Sequence, residues 1–162
     1  MFAPTDLLEL HRRTHLGLEG LLEHCAGFSQ DELTRRLEGF GDATVLLQLH
    51  HVLGAEQYWI GVLEGKMLVD ELETDHASIE ALRAFRDRVT AATRAYLRAT
   101  SERELGTARE VTTWGDRRVT VVPAHVLLRT QTHVFHHKGQ VASMCRLLGR
   151  PVPQGLDYPV GE

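Results

Sequence analysis

The sequence predicts an all-α protein, a four-helix bundle with one small β-hairpin before the last long helix. Three observations point there. Four long stretches repeat apolar residues at helical spacing. Residues that favour helix starts, Thr5, Asp42, Ser78 and Pro123, precede or open these stretches. Only one segment, VTTW-GD-RRVTVV, carries two β-branched runs around a Gly-Asp pair, the pattern of a hairpin.

The first helix runs from about Thr5 to Ala26, with Thr5 as its N-cap. Its inner stripe is Leu7, His11, Thr14, Leu18, Leu21 and Cys25. Ser29 followed by Glu32 is a capping box, which opens a short helix ending near Gly39. Asp42 caps the second long helix, Ala43 to about Gly65, which is apolar almost all round and so belongs at the centre of the bundle. A loop through Val69 to His76 leads to Ser78, which opens the third long helix, reaching about Thr100. The hairpin turns at Gly115-Asp116, with Trp114 and Arg117 beside the turn as an ordinary exposed hairpin or as the mouth of a pocket. Pro123 starts the fourth long helix, Ala124 to about Leu148, which stops at Gly149-Arg-Pro151. The tail is extended and packs through Leu156 and Tyr158.

Composition narrows the class. The 162 residues suit one domain spanning 1–162, large enough for a core. Apolar residues at 43% and charged residues at 25% are ordinary for a soluble globular protein. A net charge of -4, with no Lys/Arg cluster and only Lys66 and Lys138 as lysines, argues against a nucleic-acid partner. No apolar run has membrane-spanning length, and the N-terminus lacks signal-peptide character, so a cytoplasmic protein without membrane association is expected. Cys25 and Cys145 form no CxxC and read as buried small hydrophobes.

Ten histidines are the compositional oddity. His133 and His137 are four residues apart on the apolar stripe of the last helix, with Val126, Thr130, Gln140, Val141, Met144 and Leu148, and can hold one metal ion between adjacent turns. His136 and His125 fall on the polar side. In the second long helix His51 aligns with Leu47, Ala55, Tyr58 and Val62 and is taken as inward; His50 is peripheral. Three inward imidazoles are costly to bury unpaired, and a divalent metal bound by His51, His133 and His137 satisfies them together while leaving coordination positions open. His11 and His15 are a rival pair, His11 facing inward and His15 less so, suited to a supporting contact or a pocket group. Glu56 has two readings, a base or anchor for a ligand imidazole and an inter-helix ion pair. Trp59 reads as core, and Gly139 as a position for close helix packing.

Two segments carry a resemblance. His51-Val-Leu-Gly-Ala55-Glu56-Gln-Tyr-Trp59 resembles the HxxxAExxW segment of the DinB/YfiT-like proteins. His133-Val-Phe-His-His137-Lys-Gly139-Gln140 resembles their HxxxH[RK]GQ segment, and the hairpin and the closing LLGRPVPQGLDY also fit. The resemblance covers the chain from about Ala43 onward. It implies a four-helix bundle in which His51, His133 and His137 bind a divalent metal, zinc or nickel, in a homodimer. It also implies, as in some relatives, transfer chemistry with a low-molecular-weight thiol such as bacillithiol, mycothiol or glutathione.

Three functions are therefore open: a metal-dependent transferase joining a low-molecular-weight thiol to a small electrophile, a metal-dependent hydrolase, and a non-catalytic, stress-associated metal-binding bundle. A cleft above an open coordination position favours the enzymes. A fourth protein ligand or the lack of a cavity favours the last. Cys145 follows His137 by eight residues, roughly 12 Å along a helix, so a transferase would take its sulfur from an external small-molecule thiol.

Overall fold

The computed structural model describes residues 2–67, 76–154 and 157–161. Its elements are α1 (Pro4–Cys25), α2 (Gln30–Thr34), α3 (Val45–Glu64), α4 (Ile79–Ala99), α5 (Glu102–Gly106), a two-stranded antiparallel hairpin of β1 (Arg109–Thr113) and β2 (Arg117–Val121), and α6 (Pro123–Leu147). The protein is an all-α bundle of four long helices, and its small hairpin stands directly before the last of them. No helix among the described residues is long and apolar enough to cross a membrane.

The caps follow local chemistry, with some changes of residue. Ser29 and Ser78 cap α2 and α4 as expected, Ser29 in a complete capping box with Glu32. Thr5 does not cap α1: the helix begins one residue earlier, with Pro4 in its first turn and Ala3 at the N-cap. Asp42 does not cap α3 either. Thr44 does, its hydroxyl accepting from the Leu47 amide at 3.1 Å. α2 ends at Thr34, well short of Gly39, because extended backbone begins at Arg35. Ser101 and Glu104 repeat the capping box of α2 and open α5, a short helix that the sequence reading passed over. The hairpin loop has three residues rather than two: Thr113 pairs with Arg117, and Trp114-Gly115-Asp116 makes a 3-10 turn with Gly115 at φ 70° and Asp116 at φ 57°. Left-handed backbone at Gly115 explains the glycine there. The expected loop from Val69 and the expected contact of Leu156 lie outside the described residues; Tyr158 meets the Phe135 ring at 6.1 Å.

α1 packs on α4 and α6, and α3 packs on α4 and α6, so α1 and α3 face each other across the bundle. The core falls into two apolar clusters. One gathers Leu18, Leu22, Leu49, Leu53, Leu82, Phe85, Val134 and Met144; the other gathers Leu7, Ile60, Leu63, Tyr96, Leu97, Ala124 and Leu127. Each such buried leucine stabilises the fold by about 1.5–3 kcal/mol. The start of α4 and the end of α3 belong to different clusters, so α3 and α4 run parallel, both antiparallel to α1 and α6. Between the two clusters each helix turns polar: His11, Thr14 and His15 on α1, Glu56 on α3, Thr90 and Thr93 on α4, Thr130 and Gln131 on α6, all buried.

Candidate metal centre

α3 and α6 lie side by side, and their contact brings His51, His133 and His137 together. One ligand atom from each ring lies within 4.8 Å of the other two. His133 Nε2 and His137 Nε2 are 3.0 Å apart, as i,i+4 spacing on a helix allows. The His51 ring centroid is 5.1 Å from that of His133 and 4.7 Å from that of His137.

The three rings are graded in depth. His137 is buried, His133 half-buried, and His51 exposed at 45% of its side-chain surface. The expected inward stripe of α3 splits: Leu47, His51, Ala55 and Tyr58 line a surface cleft, and Val62 alone is buried in the core. The core face of α3 carries Leu46, Leu49, Leu53, Glu56 and Ile60. His50, expected at the periphery, stacks on His76 and Phe85. A helix that is apolar all round has no phase of its own, so the rotation of α3 was not readable from periodicity. His136 and His125 are exposed, as the phase of α6 requires.

Gln48, absent from the sequence reading, orients the centre. Its side-chain nitrogen donates to the Asp42 carbonyl at 2.8 Å, which turns its oxygen toward His137 Nδ1. An amide oxygen only accepts, so His137 Nδ1 carries the proton and Nε2 presents a lone pair. The one hint in the sequence is a glutamine, three residues before His51, set among the apolar residues Val45, Leu46, Leu47 and Leu49. Asp42 also places its carboxylate 3.7 Å from His51 Nδ1. Burial, reinforced by the neighbouring rings, pushes both His133 and His137 down to about 4. Both are neutral at pH 7, the form that ligates metals. The facing Nε2 atoms of His133 and His137 are then two nitrogens that one cation satisfies together. The donor set fits a divalent metal ion.

Beside the rings lies a cleft of about 490 Å³, lined by Asp42, His50, His51, Gly54, Gln57, Tyr58, Trp59, Arg129 and His133 among others. This is a usual size for a small-molecule site. Trp59 packs against the second apolar cluster and also forms part of the cleft wall, with the Arg129 guanidinium 5.3 Å from its ring centroid. Tyr58 accepts at its hydroxyl from the Trp114 amide, which ties the exposed hairpin turn to the cleft wall. Among the described residues no carboxylate or thiol joins the three imidazoles as a fourth ligand.

Glu56 is elsewhere. It is 1% exposed, does not line the cleft, and accepts hydrogen bonds from His11 Nε2, His15 Nε2 and the Thr93 hydroxyl. His15, expected to be less inward than His11, is as deeply buried. Burial alone would raise the Glu56 carboxyl, but attraction to His15 and the two imidazole hydrogen bonds outweigh it and hold it well below the usual carboxylate range. Gly139 is exposed, with open space where a Cβ would stand, so it mediates no close packing. Gln140 bonds His136 at 2.7 Å on the outer face. Cys25 and Cys145 are both buried, and the thiol of Cys25 is pushed up by its hydrogen bond to Cys145 and by burial.

A helical bundle with imidazole and carboxylate clusters able to hold a divalent ion defines a class of metal-binding four-helix proteins. Within that class the particular family is clear: the profile of the DinB family matches residues 6–161, nearly the whole chain, and the protein belongs to the DinB family. No curated protein matches the chain.

Proposed function

We propose that this protein is a metal-dependent transferase that joins a low-molecular-weight thiol to a small electrophile. The carrying observation is that three imidazoles, with no fourth protein ligand among the described residues, converge beside an open cleft. A closed structural site would have neither feature. His51, His133 and His137 hold the ion, zinc or nickel. Such an ion, when bound, supplies Lewis acidity that lowers the pKa of a thiol or water near neutrality. Gln48 fixes the His137 tautomer that presents Nε2 to the ion. The cleft combines an aromatic wall, Trp59 and Tyr58, with the polar groups of Gln57 and Arg129, a lining suited to a small thiol with charged or amide groups. The protein's own thiols are buried against one another, so the sulfur is external.

The test is a thiol-consumption assay with an aromatic electrophile across several thiols. Activity is expected to require added metal, to vanish with chelator, and to survive Cys25→Ser/Cys145→Ser. His51→Ala, His133→Ala and His137→Ala should each remove one metal equivalent and the activity, while His136→Ala leaves both. Turnover of esters that is equally fast without thiol would make the protein a hydrolase. Metal binding without any turnover would make it a non-catalytic metal-binding bundle.

A further inference from the structure

The polar layer at the middle of the bundle contains a second convergent donor set. His11 and His15 stand one turn apart on α1, their ring centroids 4.3 Å from each other. Both aim Nε2 at one carboxylate on the opposite helix: His11 at Glu56 Oε1 and His15 at Glu56 Oε2, each at 2.8 Å. Ligand atoms of all three residues lie within 4.8 Å of one another, and all three residues are essentially unexposed. The Thr93 hydroxyl adds an oxygen 2.6 Å from Glu56 Oε1. A hydroxyl also stands behind one imidazole, Thr90 Oγ1 at 3.3 Å from His15 Nδ1, the position from which outer groups fix the tautomer of a ligating histidine.

The layer is expensive as a mere polar filling. A carboxylate without exposure needs a positive charge close by. No lysine or arginine pairs with Glu56 among the described residues; its partners there are the two imidazoles and the threonine. Two buried atoms in the layer, His11 Nδ1 and Gln131 Oε1, have no hydrogen-bond partner among the described residues. The positive charge is therefore either a proton on the imidazoles or a cation held by the same three residues.

We propose that His11, His15 and Glu56 form a second divalent-metal site, closed and structural, at the centre of the bundle. Its N2O donor set suits zinc, with the Thr93 hydroxyl as the nearest further oxygen. Unlike the α3–α6 centre, where His51 is exposed, its three residues are at most 1% exposed, and it links α1 to α3 across the bundle, with α4 as support. Metal enters it during folding and leaves slowly. The inference stands independently of the proposed activity.

The experiment is metal counting on the full chain, refolded with zinc and freed of excess ion. Wild-type protein is expected to hold two zinc ions per chain, one removed quickly by chelator and one at least roughly tenfold more slowly, in line with burial of its ligands. His133→Ala/His137→Ala should keep the slow ion only, and X-ray absorption of that protein should show imidazole and carboxylate ligands. Glu56→Gln, which preserves side-chain shape, should keep the fast ion and lose the slow one. A His133→Ala/His137→Ala protein that folds by circular dichroism and holds no zinc overturns the second site, whatever the folding of Glu56→Gln. So does a slow ion that survives in folded Glu56→Gln. A single ion lost in Glu56→Gln but kept in His133→Ala/His137→Ala would uphold the second site and overturn the α3–α6 assignment instead.

Discussion

Single residues around the α3–α6 centre do distinct work. Gln48 does not itself line the cleft; it acts on His137 through one hydrogen bond and is held by the Asp42 carbonyl. Outer partners of this kind are worth roughly 10–100-fold in metal affinity. Gln48→Leu is therefore expected to weaken the α3–α6 ion by about that factor, as titration calorimetry will read, and to destabilise the metal-free protein by about 1–3 kcal/mol because the His137 N–H loses its partner. Protonation gives a second expectation. His133 and His137 titrate at about 4 in the fold against an ordinary 6.5. As pH falls through 6.5 the unfolded chain takes up protons that the native state refuses until about 4. The unfolded state thus binds more protons in this window, and native stability must fall on acidification. Above 6.5 these two groups contribute nothing. Denaturant titrations of chelated protein should show stability falling steadily from pH 6.5 to 4. The slope should flatten in His133→Gln/His137→Gln; an unchanged slope would mean that the two rings are not the cause.

At the scale of elements, α6 explains why one helix can carry both packing and ligands. Its buried face runs through Val126, Val134, Val141 and Met144, with His137 on the same stripe and His133 at its edge. Its outer face carries Gly139 in the helix interior, with open space where a side chain would stand. Glycine there costs conformational entropy without relieving any clash. Gly139→Ala is expected to stabilise the protein by about 0.5–1 kcal/mol in chemical denaturation; a loss of stability would reveal a contact on that face. α3 is the opposite case. Most of its apolar residues are covered by α2, α4, α6 and β1 within the chain, and Leu47 and Ala55 line the cleft, which accounts for its hydrophobic character without a partner molecule.

For the whole molecule, the bundle places an open cluster at the α3–α6 seam and a closed one at its centre, so that the proposed small-molecule chemistry and the proposed structural ion use different residues. Because α3 is covered internally, the proposal of a homodimer rests on the family alone. The exposed large apolar side chains, Leu16, Trp114 and Leu147 among them, are spread over α1, the hairpin and the end of α6. Light scattering is expected to give twice the 18.2 kDa chain mass; a monomer at high concentration would remove the dimer from the account.

What the sequence by itself determined is what local geometry controls. The four long helices follow from spacing. The capping boxes and Pro123 follow from side chains that bond or free the first amides. His133 and His137 share a face because 3.6 residues per turn puts positions four apart side by side. What only the tertiary structure decided is everything that depends on how one helix is rotated against another. His51 rather than His50 meets the α6 pair, but from a cleft wall and not from the core. Gln48 turns out to stand behind His137. Glu56, one and a half turns past His51, points to the centre of the bundle, where it joins His11 and His15 from a helix that is not its neighbour. Neighbouring residues on a helix differ by about 100° in direction, so a small change in helix rotation exchanges one candidate for the next. In α3, apolar on every side, no local pattern fixes that rotation, and only the packing of α4 and α6 against it does.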